Sequence, residues 1–165
     1  MNSVKLFLIR KLLWFIPETR AFGFKRMLYR WAGVVVKDNV KICSSAKILG
    51  AGKLTIGADT WIGPEVILVS NSSISIGAMC DIAPRCYIGD GTHIITPKEN
   101  RIAGQDIAKE IIIGDGCWLC VNSTILAGVI VGDKCIVAAG SVVTKSIDNI
   151  QALIAGIPAE IKKML

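Results

Sequence analysis

One histidine occurs in the whole chain, His93, at the end of the run CDIAPRCYIGDGTH over residues 80–93. Imidazole titrates near neutrality, so it is the side chain best suited to take a proton from a hydroxyl. A lone histidine is as easily a surface loop residue, and its meaning depends on what positions it. Asp90 and Asp81 are the nearby acids that could hold the ring, and the residue that follows it is Ile94. Cys117 and Cys120 form a C-x-x-C pair. No second such pair and no histidine cluster completes a tetrahedral set, so no metal is expected.

The elements that carry these residues follow from a repeat. From residue 42 onward an aliphatic residue recurs every six positions: Ile42, Ile48, Leu54, then Ile56, Ile62, Leu68, Ile74, then Ile76, Ile82, Ile88, Ile94, and finally Ile113, Leu119, Ile125, Val131, Val137, Val143. Period six fits neither a helix nor one long strand, but it fits a chain that turns a corner after each short strand. The fifth position of each hexad is small, as at Ala46, Thr60, Cys80, Cys86, Cys117, Ser123, Cys135 and Ser141. Cysteine in that place reads as a packed small hydrophobe. Three hexads make one triangular coil, so the pattern predicts an all-β parallel solenoid of about five coils. The slips at Leu54/Thr55 and Ile74/Ser75 and the excursion over 94–112 are expected to emerge at one edge, which is how a solenoid presents a binding face.

Composition agrees with this. Of 165 residues 52% are hydrophobic but only 6% aromatic, so the core must be aliphatic, and 16 glycines suit many tight corners. The net charge of +6 gathers at the ends, with Lys5, Arg10, Lys11, Arg20, Lys25, Arg26 and Arg30 near the start and Lys162 and Lys163 near the finish. No RNA-binding aromatic signature or zinc-finger spacing accompanies it, so nucleic acid is not an expected partner. Leu6, Ile9, Leu13 and Ile16 recur at helical spacing, with Pro17 expected to end that segment. Residues 1–35 are therefore expected to form a helical cap on a β-helical domain over 36–165. A peripheral membrane contact through this basic N-terminus is the second reading. No apolar stretch is long enough to span a bilayer. Six cysteines without a recognisable export signal point to reduced thiols and a cytoplasmic protein, at most peripheral to the inner face of the membrane.

The repeated pattern [LIV]-[GA]-x-x-[small]-x, with IIIGDGCWLCVNSTILAG (111–128), CIVAAGSVVTKS (135–146) and AGIPAEIKK (155–163), resembles the hexapeptide-repeat acyltransferases, in particular the small-sugar and polysaccharide O-acetyltransferases. The resemblance covers roughly residues 36 to 163. It implies a left-handed parallel β-helix, a homotrimer with active sites between subunits, acetyl-CoA as co-substrate and a sugar hydroxyl as acceptor. On that resemblance His93 is the catalytic base, Trp118 lies near the acceptor, and Asn71 replaces an acidic acceptor ligand. Val121, Ala139, Thr144, Lys145 and Lys163 match positions that contact CoA, the two lysines suiting its phosphates. Two positions depart from the family pattern: Glu160 stands where relatives often carry a basic residue, and Gly63 where galactoside acetyltransferases carry an asparagine.

The same fold hosts other activities. One histidine excludes the three-histidine zinc site of γ-class carbonic anhydrases, and the chain lacks the large helical domain of serine acetyltransferases. The lipid A acyltransferases usually have a longer solenoid with a helical C-terminal region. A non-catalytic scaffold and an acyltransferase with a non-sugar acceptor are the alternatives. Envelope or capsule polysaccharide biosynthesis is the expected setting.

Overall fold

The computed structural model describes all 165 residues. Two helices, α1 (Ser3–Leu13) and α2 (Phe22–Trp31), precede the strands. The first coil is β1 (Val35–Val36), β2 (Lys41–Ile42) and β3 (Lys47–Leu49). The second is β4 (Lys53–Ile56), β5 (Trp61–Ile62) and β6 (Ile67–Val69), and the third β7 (Ser73–Ile76), β8 (Asp81–Ile82) and β9 (Tyr87–Gly89). A hairpin of β10 (Gly91–Ile95) and β11 (Ala103–Ala108) interrupts the solenoid there. It resumes with β12 (Ile111–Ile113), β13 (Trp118–Leu119) and β14 (Thr124–Ile125), then β15 (Ile130–Val131), β16 (Ile136–Val137) and β17 (Val142–Val143). β18 (Ala152–Gly156) and β19 (Ala159–Met164) close the chain.

Stacking these coils generates three parallel sheets, the sides of a triangular prism. The first side runs β1-β4-β7-β12-β15, the second β2-β5-β8-β13-β16-β18 with β19 antiparallel at its edge, and the third β3-β6-β9-β14-β17. The expected left-handed parallel β-helix is thus present. Five coils are complete, and Ile147, bridged to Val131, begins a partial sixth that β18 continues.

The six-residue repeat maps onto the interior. Every repeating aliphatic residue from Ile42 to Val143 is buried except Ile94, which is 44% exposed because it belongs to the hairpin. Each buried Ile, Leu or Val contributes on the order of 1.5–3 kcal/mol. The slips lie slightly earlier than the sequence suggested. Leu54 and Ile56 both point inward from β4, as Ile74 and Ile76 do from β7, so the two extra residues fall at the preceding corners, around Gly50–Gly52 and Ser70–Ser72. Those corners and the hairpin share one edge, between the third and first sides. The excursion also begins and ends earlier than expected: β10 starts at Gly91, and Ile111 and Ile112 are already paired with Ile74 and Ser75.

At many corners the residue before the small inward one has positive φ: Asn39, Asp59, Met79, Gly116 and Lys134 at one edge, Glu65, Arg85, Asn122 and Gly140 at the next. Non-glycine residues pay about 1–2 kcal/mol for this. The small residues that follow also do more than pack. Thr60 Oγ1 donates to Gly77 O at 2.8 Å, and the thiols of Cys80, Cys117 and Cys135 donate to Gly114, Gly132 and Asn149 carbonyls at 3.1 Å each. Each reaches the next coil and satisfies a corner carbonyl that the strands leave unpaired.

The helices lie over the first coil. Asn2 caps α1, its side chain accepting from Lys5 N at 3.0 Å, and Leu6, Ile9 and Leu13 join the core along one stripe. α1 ends at Leu13 rather than at Pro17. Tighter turns, with Phe15 N donating to Leu12 O and Ile16 N to Leu13 O, carry the chain to the proline, whose ring disfavours helix in the residue before it.

Candidate active site

The hairpin is built by antiparallel pairing of Gly91 with Ala108, Thr92 with Ile107 and His93 with Asp106. Directly opposed residues in such a pair project from the same face. His93 Nδ1 accordingly lies 2.9 Å from Asp106 Oδ1 and 3.3 Å from Gly104 O. Both neighbours are acceptors, so the network assigns the Nδ1 position as the protonated one. Nε2 is left with its lone pair free. The imidazole is 51% exposed and the carboxylate 91%, so the pair is open to an incoming substrate.

Asp90, not Asp106, is the buried acid of this region. It is fully buried, and its carboxylate accepts from Asn71 N at 2.7 Å, Ser72 N at 2.8 Å and Ser70 Oγ at 3.3 Å. Its carbonyl accepts from Lys109 N at 2.8 Å, which closes the base of the hairpin. Asp90 therefore ties the Ser70–Ser72 corner to the strand that carries His93. Neither it nor Asp81 orients the ring; Asp81 sits on β8 opposite Trp61 and Trp118.

Asn71 is brought to His93. The two share a cleft of about 450 Å³ with Gly91, Thr92, Asp106 and Ile107. A Cβ on Gly91 would stand 2.7 Å from Asn71 Nδ2, so glycine there lets the amide lie against β10. Trp118 is not in this cleft: it is half-exposed on β13, on the second side, between Asp81 and Ile136. Gly63 is buried, and a side chain would meet Ile82 O at 2.8 Å and the Trp61 ring at 3.0 Å, so no asparagine fits without parting the coils.

The remaining predicted residues lie along two edges. Val121 and Ala139 follow β13 and β16 at the edge between the second and third sides, where Gly140 N donates to Val121 O at 3.0 Å. Thr144 and Lys145 are exposed just after β17, on the edge that carries the hairpin. Lys163 is exposed on β19 opposite Leu153. Glu160 pairs with Lys162 at 3.5 Å, leaving Lys163 as the unengaged cation of that strand. Asp106 and the Gly104 carbonyl are the contacts of His93 that sequence reading missed. No three metal-ligating side chains converge anywhere in the chain.

Comparison with known proteins bears on the family and the fold. Residues 110–145 match the family described as "Hexapeptide repeat of succinyl-transferase". The chain is 33% identical over 147 residues to the Escherichia coli K12 protein named "Putative colanic acid biosynthesis acetyltransferase", covering 84% of this chain and 79% of that one. It is 31% identical over 167 residues to the galactoside O-acetyltransferase of the same organism, covering 88% and 79%. The crystal structure of a hexapeptide-repeat acetyltransferase from Vibrio cholerae, complexed with acetyl coenzyme A, superposes with a TM-score of 0.75 at 23% identity, covering 99% and 86%; at that identity the likeness is one of fold. Identity at this level over most of both E. coli chains, joined to the repeat and the coiled prism, places the chain in the hexapeptide-repeat acetyltransferases: it is an acyltransferase of the sugar O-acetyltransferase type.

Proposed function

We propose that this protein transfers the acetyl group of acetyl-CoA to a hydroxyl of a saccharide in bacterial surface polysaccharide synthesis, with His93 as general base. The carrying observation is the His93–Asp106 pair, in which Nδ1 lies 2.9 Å from Asp106 Oδ1 while His93 lines the cleft beside Asn71. Nε2 takes the acceptor hydroxyl proton as the oxygen attacks the thioester carbonyl. Asp106 stabilises the imidazolium that forms, as carboxylates do in other histidine-based sites. The tetrahedral intermediate then collapses, the C–S bond breaks, and the proton passes from Nε2 to the departing CoA sulfur. Asn71, beside His93 in the cleft, is suited to bind a second hydroxyl of the sugar.

The donor would lie along the edges described above. A Cβ on Gly140 would have nothing within 4 Å, so the corner at Ala139 and Gly140 is smooth enough for a pantetheine arm. Val121 borders that corner, Thr144 stands on the hairpin edge, and Lys145 and Lys163 are placed to neutralise phosphates. Trp118 belongs to this reading through a homotrimer, in which a neighbouring copy supplies the indole to the cleft. Its exposure on the second side, with Ile112 and Ile130 exposed on the first, supports an interface. The names of the E. coli relatives support a saccharide acceptor.

Acetyl-CoA turnover against a glycan panel, wild type against His93→Ala, tests this reading. Turnover with one or a few glycans, lost in the variant with CoA binding intact, supports it. Transfer to an amino acid or amine with no glycan accepted would replace the acceptor class, and a monomeric mass in light scattering would remove the shared site.

A further inference from the structure

α1 exposes large apolar side chains on its outer face as well as burying them on its inner one. Leu6, Ile9 and Leu13 are buried against the prism, yet the opposite stripe is Val4, Leu8 and Lys11, extended beyond the helix by Phe15. Phe15 is 84% exposed and its neighbour Trp14 86%. A surface helix with a wholly polar outer face would need no second partner, but this one also exposes Val4, Phe7, Leu8 and Leu12. Exposed apolar groups clustered in this way mark an interaction surface.

The charge around that face names its occupant. Residues 1–37 hold eight Lys and Arg against Glu18 alone, a net of +7, whereas the whole chain carries +6, which leaves −1 for all the rest. Arg10 flanks the apolar stripe, where a long side chain can keep its charge in water while its stem covers apolar surface; Lys5, on the other flank, donates its Nζ to Trp31 O at 3.1 Å. Between the end of α1 and the Ser44–Ser45 corner lies a groove of about 880 Å³, bordered by Arg10, Lys11, Lys47, Trp14 and Phe15. Two such caps would repel each other, so a second copy is a poor fit and an anionic surface a good one. Basic residues flanking exposed aromatic and aliphatic groups suit the headgroup boundary of a bilayer.

We propose that the N-terminal cap docks the protein on an anionic phospholipid bilayer, with Trp14, Phe15 and Leu8 entering the interface and Arg10 and Lys11 meeting lipid phosphates. The proposal does not depend on which hydroxyl is acetylated. It does set the distance of the cleft from the surface. α1 contacts β3, the first rung of the third side. The hairpin springs from β9, two rungs along, or roughly 10 Å at the usual strand spacing.

Co-sedimentation of the full chain with phosphatidylglycerol-containing vesicles, compared with pure phosphatidylcholine vesicles, is the test. Binding is expected to be confined largely to the anionic vesicles and to weaken at about 1 M salt. Arg10→Glu with Lys11→Glu should reduce it more than roughly twenty-fold, and Trp14→Ser with Phe15→Ser roughly ten-fold or more. All four positions are exposed, and circular dichroism with an unchanged melting temperature verifies the fold of both variants. Equal partition onto neutral and anionic vesicles, or no sedimentation with either, overturns the proposal. Disulfide formation between two copies of Phe15→Cys without lipid, together with absent vesicle binding, assigns the face to a second copy and overturns it equally.

Discussion

His93 and Asp106 stand opposite each other on the two strands of the hairpin, their Nδ1 and Oδ1 atoms 2.9 Å apart. The contact fixes a tautomer as well as an orientation. If His93 is the base as proposed, His93→Ala is expected to lower kcat/KM by about 10²–10⁴-fold. Asp106→Asn keeps an acceptor but loses the charge that stabilises the imidazolium, so a smaller fall in kcat is expected, with KM for acetyl-CoA unchanged. Because both side chains are at least half exposed, neither change should alter stability by more than about 0.5 kcal/mol. Steady-state kinetics and thermal melts on the same preparations check both statements.

Asp90 should behave in the opposite way. Asp90→Ala strips acceptors from the Asn71 and Ser72 amides and the Ser70 hydroxyl at a fully buried site. A cost of about 2–4 kcal/mol is expected in urea unfolding. Activity should fall as well, since the same carboxylate ties the Asn71 corner to the hairpin. A variant that melts like wild type would show that this tie does not bear on stability.

Two glycines of positive φ separate backbone conformation from crowding. At Gly50 a Cβ would fall 2.0 Å from Ser70 O, whereas at Gly140 it would meet nothing within 4 Å. Gly50→Ala is expected to be severely destabilising, because the backbone of the next coil must move. Gly140→Asn should cost no more than about 1 kcal/mol, since asparagine tolerates the left-handed region. Chemical denaturation of the pair decides the matter, and similar losses at both would contradict the stacking described here.

The buried thiols give a pH dependence. Burial raises the pKa of Cys43, Cys86, Cys120 and Cys135, and Cys117 is raised chiefly by its contact with the Cys80 thiol and then by burial. Tyr29 is raised by burial too. Such groups hold their protons more tightly folded than unfolded, so their contribution is complete below the ordinary thiol pKa of about 8.5 and is lost as pH rises through the folded values. Cys80, lowered mainly by its hydrogen bond with Cys117, and Lys25, lowered by burial, act in the opposite sense but are outnumbered. The melting temperature is therefore expected to fall between about pH 8 and pH 10. A flat or rising profile would contradict the thiol assignments.

Much of the solenoid was legible because its interior is one-dimensional. Each coil buries one aliphatic residue per side, so period six in the sequence becomes a column in space, from Ile42 to Val143. The same logic failed at Ile94, which continues the count but lies in the hairpin, because periodicity cannot tell a strand that stays in the coil from one that leaves it. His93 was legible as a residue but not as a site. Its partner lies across an antiparallel pairing whose register depends on the return path of the chain, so Asp90 and Asp81, near it in sequence, were the natural candidates. Nothing in residue type singles out Met79, Arg85 or Lys134 as corners of positive φ; the stacking of neighbouring coils imposes that conformation.

The hairpin leaves the prism at Asp90 and returns at Lys109, and the backbones of those two residues are joined by a 2.8 Å hydrogen bond. Its ends therefore meet in space, and the coils above and below stack through them without regard to what lies between. Residues 91–108 amount to an exchangeable cassette. Its length, its return register and the acid it sets against His93 can change without disturbing the stacked coils on either side. A lineage built on this plan can diversify its chemistry at one seam.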